Sequence, residues 1–143
     1  MTPIFNQSSQ PPAGKLLRLG LWTAQVVVFL LFVVFGCMKL FMPVATLAAM
    51  WVWPGEVPPW FLHFNGIVDL AGGIGVLLPS ASRIQPRLTV LAALGCVALQ
   101  ITAIIFHVAR GEIAVTPLNF ILLALSAFIF WGRNQRLPIQ ARA

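Results

Sequence analysis

PWFLHFNGIVDLAGGIGVLLP, residues 59 to 79, carries one acid, Asp69, near the middle of an otherwise largely apolar stretch. A helix of that length spans the ~30 Å hydrocarbon core of a bilayer and satisfies its own backbone hydrogen bonds there. An ionisable side chain at that depth costs at least ~2.5–3.5 kcal/mol, so Asp69 is expected to face the interior of a helix bundle and to meet a partner. At i, i+3 and i+4 spacing, Asn65, Gly66, Asp69, Gly72, Gly73 and Val76 form one polar or small stripe, while Ile67, Leu70, Ile74 and Leu77 occupy the other side. Small residues beside the acid let a neighbouring helix approach closely.

The whole chain is built on the same scale. Its 143 residues are 59% hydrophobic and only 8% charged, with a mean hydropathy of +0.93, far from the ~25% charged residues of a soluble domain. That is the composition of an integral membrane protein, long enough for one domain of four helices and too short for a separate soluble enzyme domain. The net charge of +6 surrounds the apolar segments instead of covering one soluble face, which argues against nucleic-acid binding. Cys37 lies near one membrane face and Cys96 in the other half, a poor geometry for a disulfide, and both read as small helix-packing residues.

Residues 1–14, MTPIFNQSSQPPAG, are expected to form a flexible cytoplasmic tail, 15–133 a single transmembrane domain and 134–143 a second cytoplasmic tail. The first predicted helix covers about 19–41, after Lys15 and Arg18. Its apolar run is too long for a signal peptide, and Phe35 spoils the lipoprotein-like Val34-Phe35-Gly36-Cys37. Pro43, Pro54, Gly55 and Pro58 break the next segment, where a short helix near 45–53 is expected on the membrane surface with Trp51 and Trp53 at headgroup level. The second predicted helix covers about 60–78 and stops at Pro79; the third covers 88–109; the fourth, opened by Pro117, covers 116–131. The expected fold is all-α, a four-helix bundle of transmembrane helices. Lys15, Arg18, Arg83, Arg87, Arg133, Arg136 and Arg142 lie in the amino-terminal flank, the second loop and the carboxyl tail, against Arg110 alone in the first and third loops. That asymmetry predicts both termini on the cytoplasmic side.

Each remaining helix also carries a polar or small stripe: Gln25, Phe29, Phe32, Gly36 and Lys39; then Ala93, Cys96, Gln100, Ala103, His107 and Arg110; then Asn119, Leu123, Ser126 and Phe130. At ~1.5 Å rise per residue, Gln100 falls near the level of Asp69, with Lys39, Asn65, His107 and Asn119 closer to the outer face. The expected site is therefore a polar funnel open to the outside, formed by Lys39, Asn65, Asp69, Gln100, His107 and Asn119. Lys39 either reaches down to Asp69 or snorkels up to the headgroups, because the two backbones differ by roughly 10 Å in depth; a water or His107 is an alternative bridge. Each residue also has a plain structural reading. Lys39 can be an interfacial lysine, His107 a helix-end histidine bonded to the adjacent loop, Gln100 one half of an interhelical hydrogen bond, and His63 an interfacial residue. His63 and His107 lie near one end with no further haem signal, and no close histidine pair marks a metal site. The glycines of DLAGGIG lack the preceding strand of a nucleotide fingerprint. No catalytic residue and no metal ligand is assigned.

GCMKLF at the end of the first helix, NGIVDLAGGIGVLLP in the second, LTVLAALGCVALQITAIIFHVARGE in the third and PLNF opening the fourth together resemble the DoxX and DoxX-like family of small four-helix bacterial membrane proteins, over about residues 20–132. In that family the positions matching Lys39, Asp69 and His107 are polar, and the acid is usually glutamate; Asp69 is one methylene shorter. The resemblance implies residence in the bacterial cytoplasmic (inner) membrane. It also implies an accessory or anchor subunit of a redox system, not an enzyme by itself, with quinone as the associated small molecule and a membrane or soluble redox protein as partner. One namesake is associated with a thiosulfate and quinone oxidoreductase, others with oxidative-stress complexes, and distant relatives with receptor assembly. A family supplies a fold more securely than a reaction, and two further readings stay open. One is a small-solute or proton-linked carrier using Asp69, Gln100 and His107. The other is a structural or assembly factor whose buried charges fix helix register, as a homo-oligomer or within a larger complex.

Overall fold

The computed structural model describes residues 12–143, with side chains from Gly14 onward. Five α-helices and no strand make up the described residues: α1 (Pro12–Phe41), α2 (Val44–Met50), α3 (Pro59–Ser82), α4 (Arg87–Ala109) and α5 (Pro117–Trp131). Most of the expected amino-terminal tail lies outside the described residues, and its last part, 12–14, opens α1. Gly14–Phe41, Pro59–Ser82 and Arg87–Ala109 are long and apolar enough to cross a bilayer. α5, at 15 residues, is shorter than the ~20 a full crossing takes. The expected four transmembrane helices therefore resolve into an all-helical chain with three candidate spans and a shorter apolar helix, continued by one wide turn at Gly132–Arg136. The expected surface helix is α2, followed by a tight turn at Trp53–Gly55.

Pro79 does not end the second long helix as its sequence position suggests; α3 continues through it to Ser82. A helical proline removes one N–H and crowds the carbonyl four residues back, here Gly75. Buried backbone of this kind is tolerated where a neighbouring helix supplies partners, and Gln25 of α1 donates its Nε2–H to the adjacent Val76 carbonyl at 2.7 Å. Arg83 then closes the helix in the left-handed conformation, φ 59°.

α1 packs against α3 and α5, α3 against α4, and α4 against α5. The α1–α3 crossing is set by two glycines: a Cβ on Gly36 would stand 2.9 Å from the Gly66 carbonyl oxygen, and one on Gly66 3.0 Å from that of Gly36. The interior layer consists of Val28, Phe32, Val76, Ala93, Cys96, Leu122 and Ile129. Cys37 and Cys96 are both free. Leu30, Val34, Ile67, Leu91, Ile101, Ile105 and Ile121 point outward and stay exposed. Apolar surface on so many faces fits lipid contact, where hydrocarbon replaces water.

Candidate functional site

The α1–α3 crossing decides the position of the acid. Lys39 lies three residues past Gly36 and Asp69 three past Gly66, on helices running in opposite directions, so their backbones are offset by about 9 Å along the axis. The long lysine stem covers that offset: Nζ donates to Asp69 Oδ2 at 2.6 Å, with the Lys39 side chain 16% and the Asp69 side chain 8% exposed. Of the alternatives the sequence leaves open for Lys39, the structure has the direct pair. The Trp53 ring lies 5.7 Å from Nζ, adding a cation–π contact.

Above the pair lies a cavity of about 320 Å³, lined by Lys39, Asp69, Gln100, His107 and Asn119 among apolar and aromatic walls that include Phe32, Phe35, Trp51, Trp53 and Leu118. Gln100 Oε1 accepts from Asn119 Nδ2 at 2.9 Å, tying α4 to α5. The segment after α2 folds over the mouth. Trp51 meets Phe35 edge-on at 5.6 Å, and Trp53 meets Phe106 at 6.0 Å and His107 at 6.4 Å.

His107 is fixed from outside. Its Nδ1 lies 2.8 Å from Glu112 Oε2, so with the carboxylate ionised Nδ1–H donates and Nε2 is the ring nitrogen left for another partner. Arg110 Nε donates to Glu112 Oε1 at 3.0 Å, and its Nη2 pairs with Glu56 in the α2–α3 segment. Hydrogen bonds to Glu112 and then Glu56 hold the Arg110 guanidinium above its usual pKa. The same contact from Arg110, followed by that from His107, holds the Glu112 carboxyl below the usual glutamate range.

Glu56, Asp69 and Glu112 are the only acids in the chain, and all three are paired at this one end of the molecule. The arrangement offers a partly open space with apolar and aromatic walls and hydrogen-bonding groups at its base, a combination suited to a small flat molecule carrying acceptor atoms.

A model of the DoxX-like family matches residues 23–129. The chain belongs to the DoxX-like family. No curated protein and no solved structure matches it. The matched stretch contains every cavity residue named above and makes this DoxX-like chain a multi-pass membrane protein with three candidate spans.

Asn65, the remaining funnel residue, is absent from the cavity wall; its Nδ2 donates to the Phe61 carbonyl of its own helix at 2.9 Å. His63 is exposed and does not line the cavity. Trp51 and Trp53, expected at headgroup level, both line this cavity. The sequence pattern also gave no role to Glu56 or Glu112. The signal was the scarcity of acids: with three in the whole chain, each was a candidate for a fixed partner.

At the opposite end, the DoxX-like chain buries a group that the sequence reading assigned to the polar carboxyl tail. Arg133 is 3% exposed. Its Nε donates to Gln25 Oε1 at 2.7 Å, its Nη1 to the Leu137 carbonyl at 3.3 Å, and its guanidinium lies 4.8 Å from the Trp22 ring centre. The wide turn at Gly132–Arg136 directs it inward, with Gly132 set so close to Leu21 that an added Cβ would stand 2.3 Å from the leucine side chain.

Proposed function

We propose that this DoxX-like protein lies in the bacterial cytoplasmic membrane with α1, α3, α4 and α5 all crossing, α5 completing its span through the turn at Gly132–Arg136, and with both termini on the cytoplasmic side. The clustering of Lys15, Arg18, Arg83, Arg87, Arg133, Arg136 and Arg142 in the segments at one end supports that orientation. Its role is that of an accessory or anchor subunit of a membrane redox system, and its ligand is a quinone ring held in the outer cavity.

One observation carries the reading: the cavity sets the Lys39 ammonium beside the Trp53 ring, with the Gln100 amide on the same wall. A quinone has two carbonyl acceptors on a flat ring, so the Lys39 ammonium takes one oxygen, the Gln100 amide N–H takes the other and the aromatic walls take the faces. About 320 Å³ accommodates the ring and leaves an isoprenoid tail to run out among the lipids.

Titration of the purified full chain with a short-tailed ubiquinone, followed by quenching of tryptophan fluorescence, tests this. Saturable quenching is expected, weakened roughly tenfold in Lys39→Met, the loss of one charge-assisted hydrogen bond. Linear, non-saturating quenching in the wild type, with no quinone in an organic extract of the protein purified from its own membrane, would overturn it.

A further inference from the structure

A second cavity, of about 410 Å³, lies at the other end of the chain between α1, the α3 carboxyl end and the tail, and three arginines line it: Arg18, Arg83 and Arg133. Trp22, Ser80 and Gln140 complete its polar and aromatic wall. The tail is held there by two hydrogen bonds, Arg83 Nε to the Gln140 carbonyl at 3.0 Å and the Arg142 N–H to the Arg83 carbonyl at 2.9 Å.

This wall contains no acid. The three acidic side chains of the chain are all engaged at the far end, so none can be recruited here. The carboxyl ends of α3 and α5 contribute about half a negative charge each, against three guanidiniums. Arg83 and Arg133 rest on neutral amide and carbonyl oxygens here, so positive charge is left in a partly enclosed space. Arg133 adds a more specific sign: among the described residues its buried Nη2 meets no acceptor, although Nε and Nη1 are both satisfied. A buried guanidinium N–H without an acceptor is costly, and a planar fork with one free arm matches the oxygens of a phosphate. An anion would supply the acceptor that this buried N–H lacks.

We infer that Arg18, Arg83 and Arg133 form a binding site for a phosphate group, presented either by an anionic phospholipid headgroup or as a free phosphate. The site lies at the end opposite the outer cavity and does not depend on what that cavity binds. A lipid source would place the phosphate at headgroup depth with the acyl chains alongside α1 and α3; a free source would enter past the tail.

Thermal unfolding of the full chain in maltoside micelles separates the two. The probes are sodium phosphate against sodium chloride at equal ionic strength, and phosphatidylglycerol against diacylglycerol, which has the same tails and no phosphate. A concentration-dependent rise in the unfolding midpoint with either phosphate probe is expected by mass action. A rise with phosphatidylglycerol alone assigns the lipid source, and a rise with inorganic phosphate assigns the free one. The half-saturating concentration should increase roughly tenfold in Arg83→Gln and in Arg133→Gln, the loss of one charge-assisted contact, and stay unchanged in Arg87→Gln, which lies outside the cavity wall. Because Arg83 is exposed, its variant decides the matter if Arg133→Gln fails to fold. No rise with either probe, or an equal loss in Arg87→Gln, would overturn the site.

Discussion

The two ends of this molecule handle positive charge in opposite ways. At the end that holds the 320 Å³ cavity each cation has an acid: Lys39 meets Asp69, and Arg110 joins Glu56 to Glu112, which in turn holds His107. At the opposite end Arg133 rests on an amide, a carbonyl and an indole. A buried cation with an acid partner is neutralised locally and leaves its cavity open to an uncharged guest, whereas one held by dipoles and a ring keeps its charge for a guest to answer. The contrast comes from the distribution of three acids, all at one end.

The largest expected effect comes from breaking the neutral end. Asp69→Leu leaves the Lys39 ammonium without its partner and is expected to cost about 3 kcal/mol, the scale for stranding one member of a buried pair. Lys39→Met combined with Asp69→Leu should recover more than half of that loss. Reversible unfolding in mixed micelles measures both, and a double variant as unstable as the single one would mean that packing, not charge, dominates the site.

A smaller loss, about 2 kcal/mol, is expected from Gln25→Leu, which removes both the acceptor for Arg133 Nε and the donor to the Val76 carbonyl beside Pro79. The same unfolding assay measures it. If the Arg133 end is held by dipoles as described, added phosphate should restore part of this loss and none of the loss in Asp69→Leu, which sharpens the contrast between the ends.

The smallest effect is the pH dependence of the Glu112 cluster. Glu112 titrates below its ordinary value of 4.5 in the folded protein because Arg110, and then His107, stabilise its charged form. A depressed carboxyl pKa contributes stability that is present above the unfolded value and lost as pH falls through the folded one. Stability should therefore hold at neutral pH and decline below about 4.5, with a shallower decline in Glu112→Gln. Hydrogen exchange of residues 107–116, followed against pH, checks this; a decline equally steep in the variant would show that another group is titrating.

The apolar periodicities of about 19–41, 60–78 and 88–109 are long enough to identify helices whatever they pack against, so the three candidate spans were legible from the residues alone. The stripe around Asp69 likewise revealed which face turns inward, because an acid in a membrane has only one tolerable side. Helix ends were less legible. Proline signals a stop through its missing donor, yet α3 runs through Pro79 to Ser82, packed there against α1, whose Gln25 bonds the Val76 carbonyl.

Composition and local pattern thus determined that this chain is a helical membrane protein and that its few polar residues face one another. Tertiary structure alone decided which of them meet. The Lys39–Asp69 pair depends on the level at which Gly36 crosses Gly66. The burial of Arg133 depends on a partner 108 positions away. Asn65 fits the helical spacing of the funnel yet spends its amide on its own helix. A helix pattern fixes direction around an axis to within one face, but the register between two helices is set by close packing of small residues, and no local property of either segment records it.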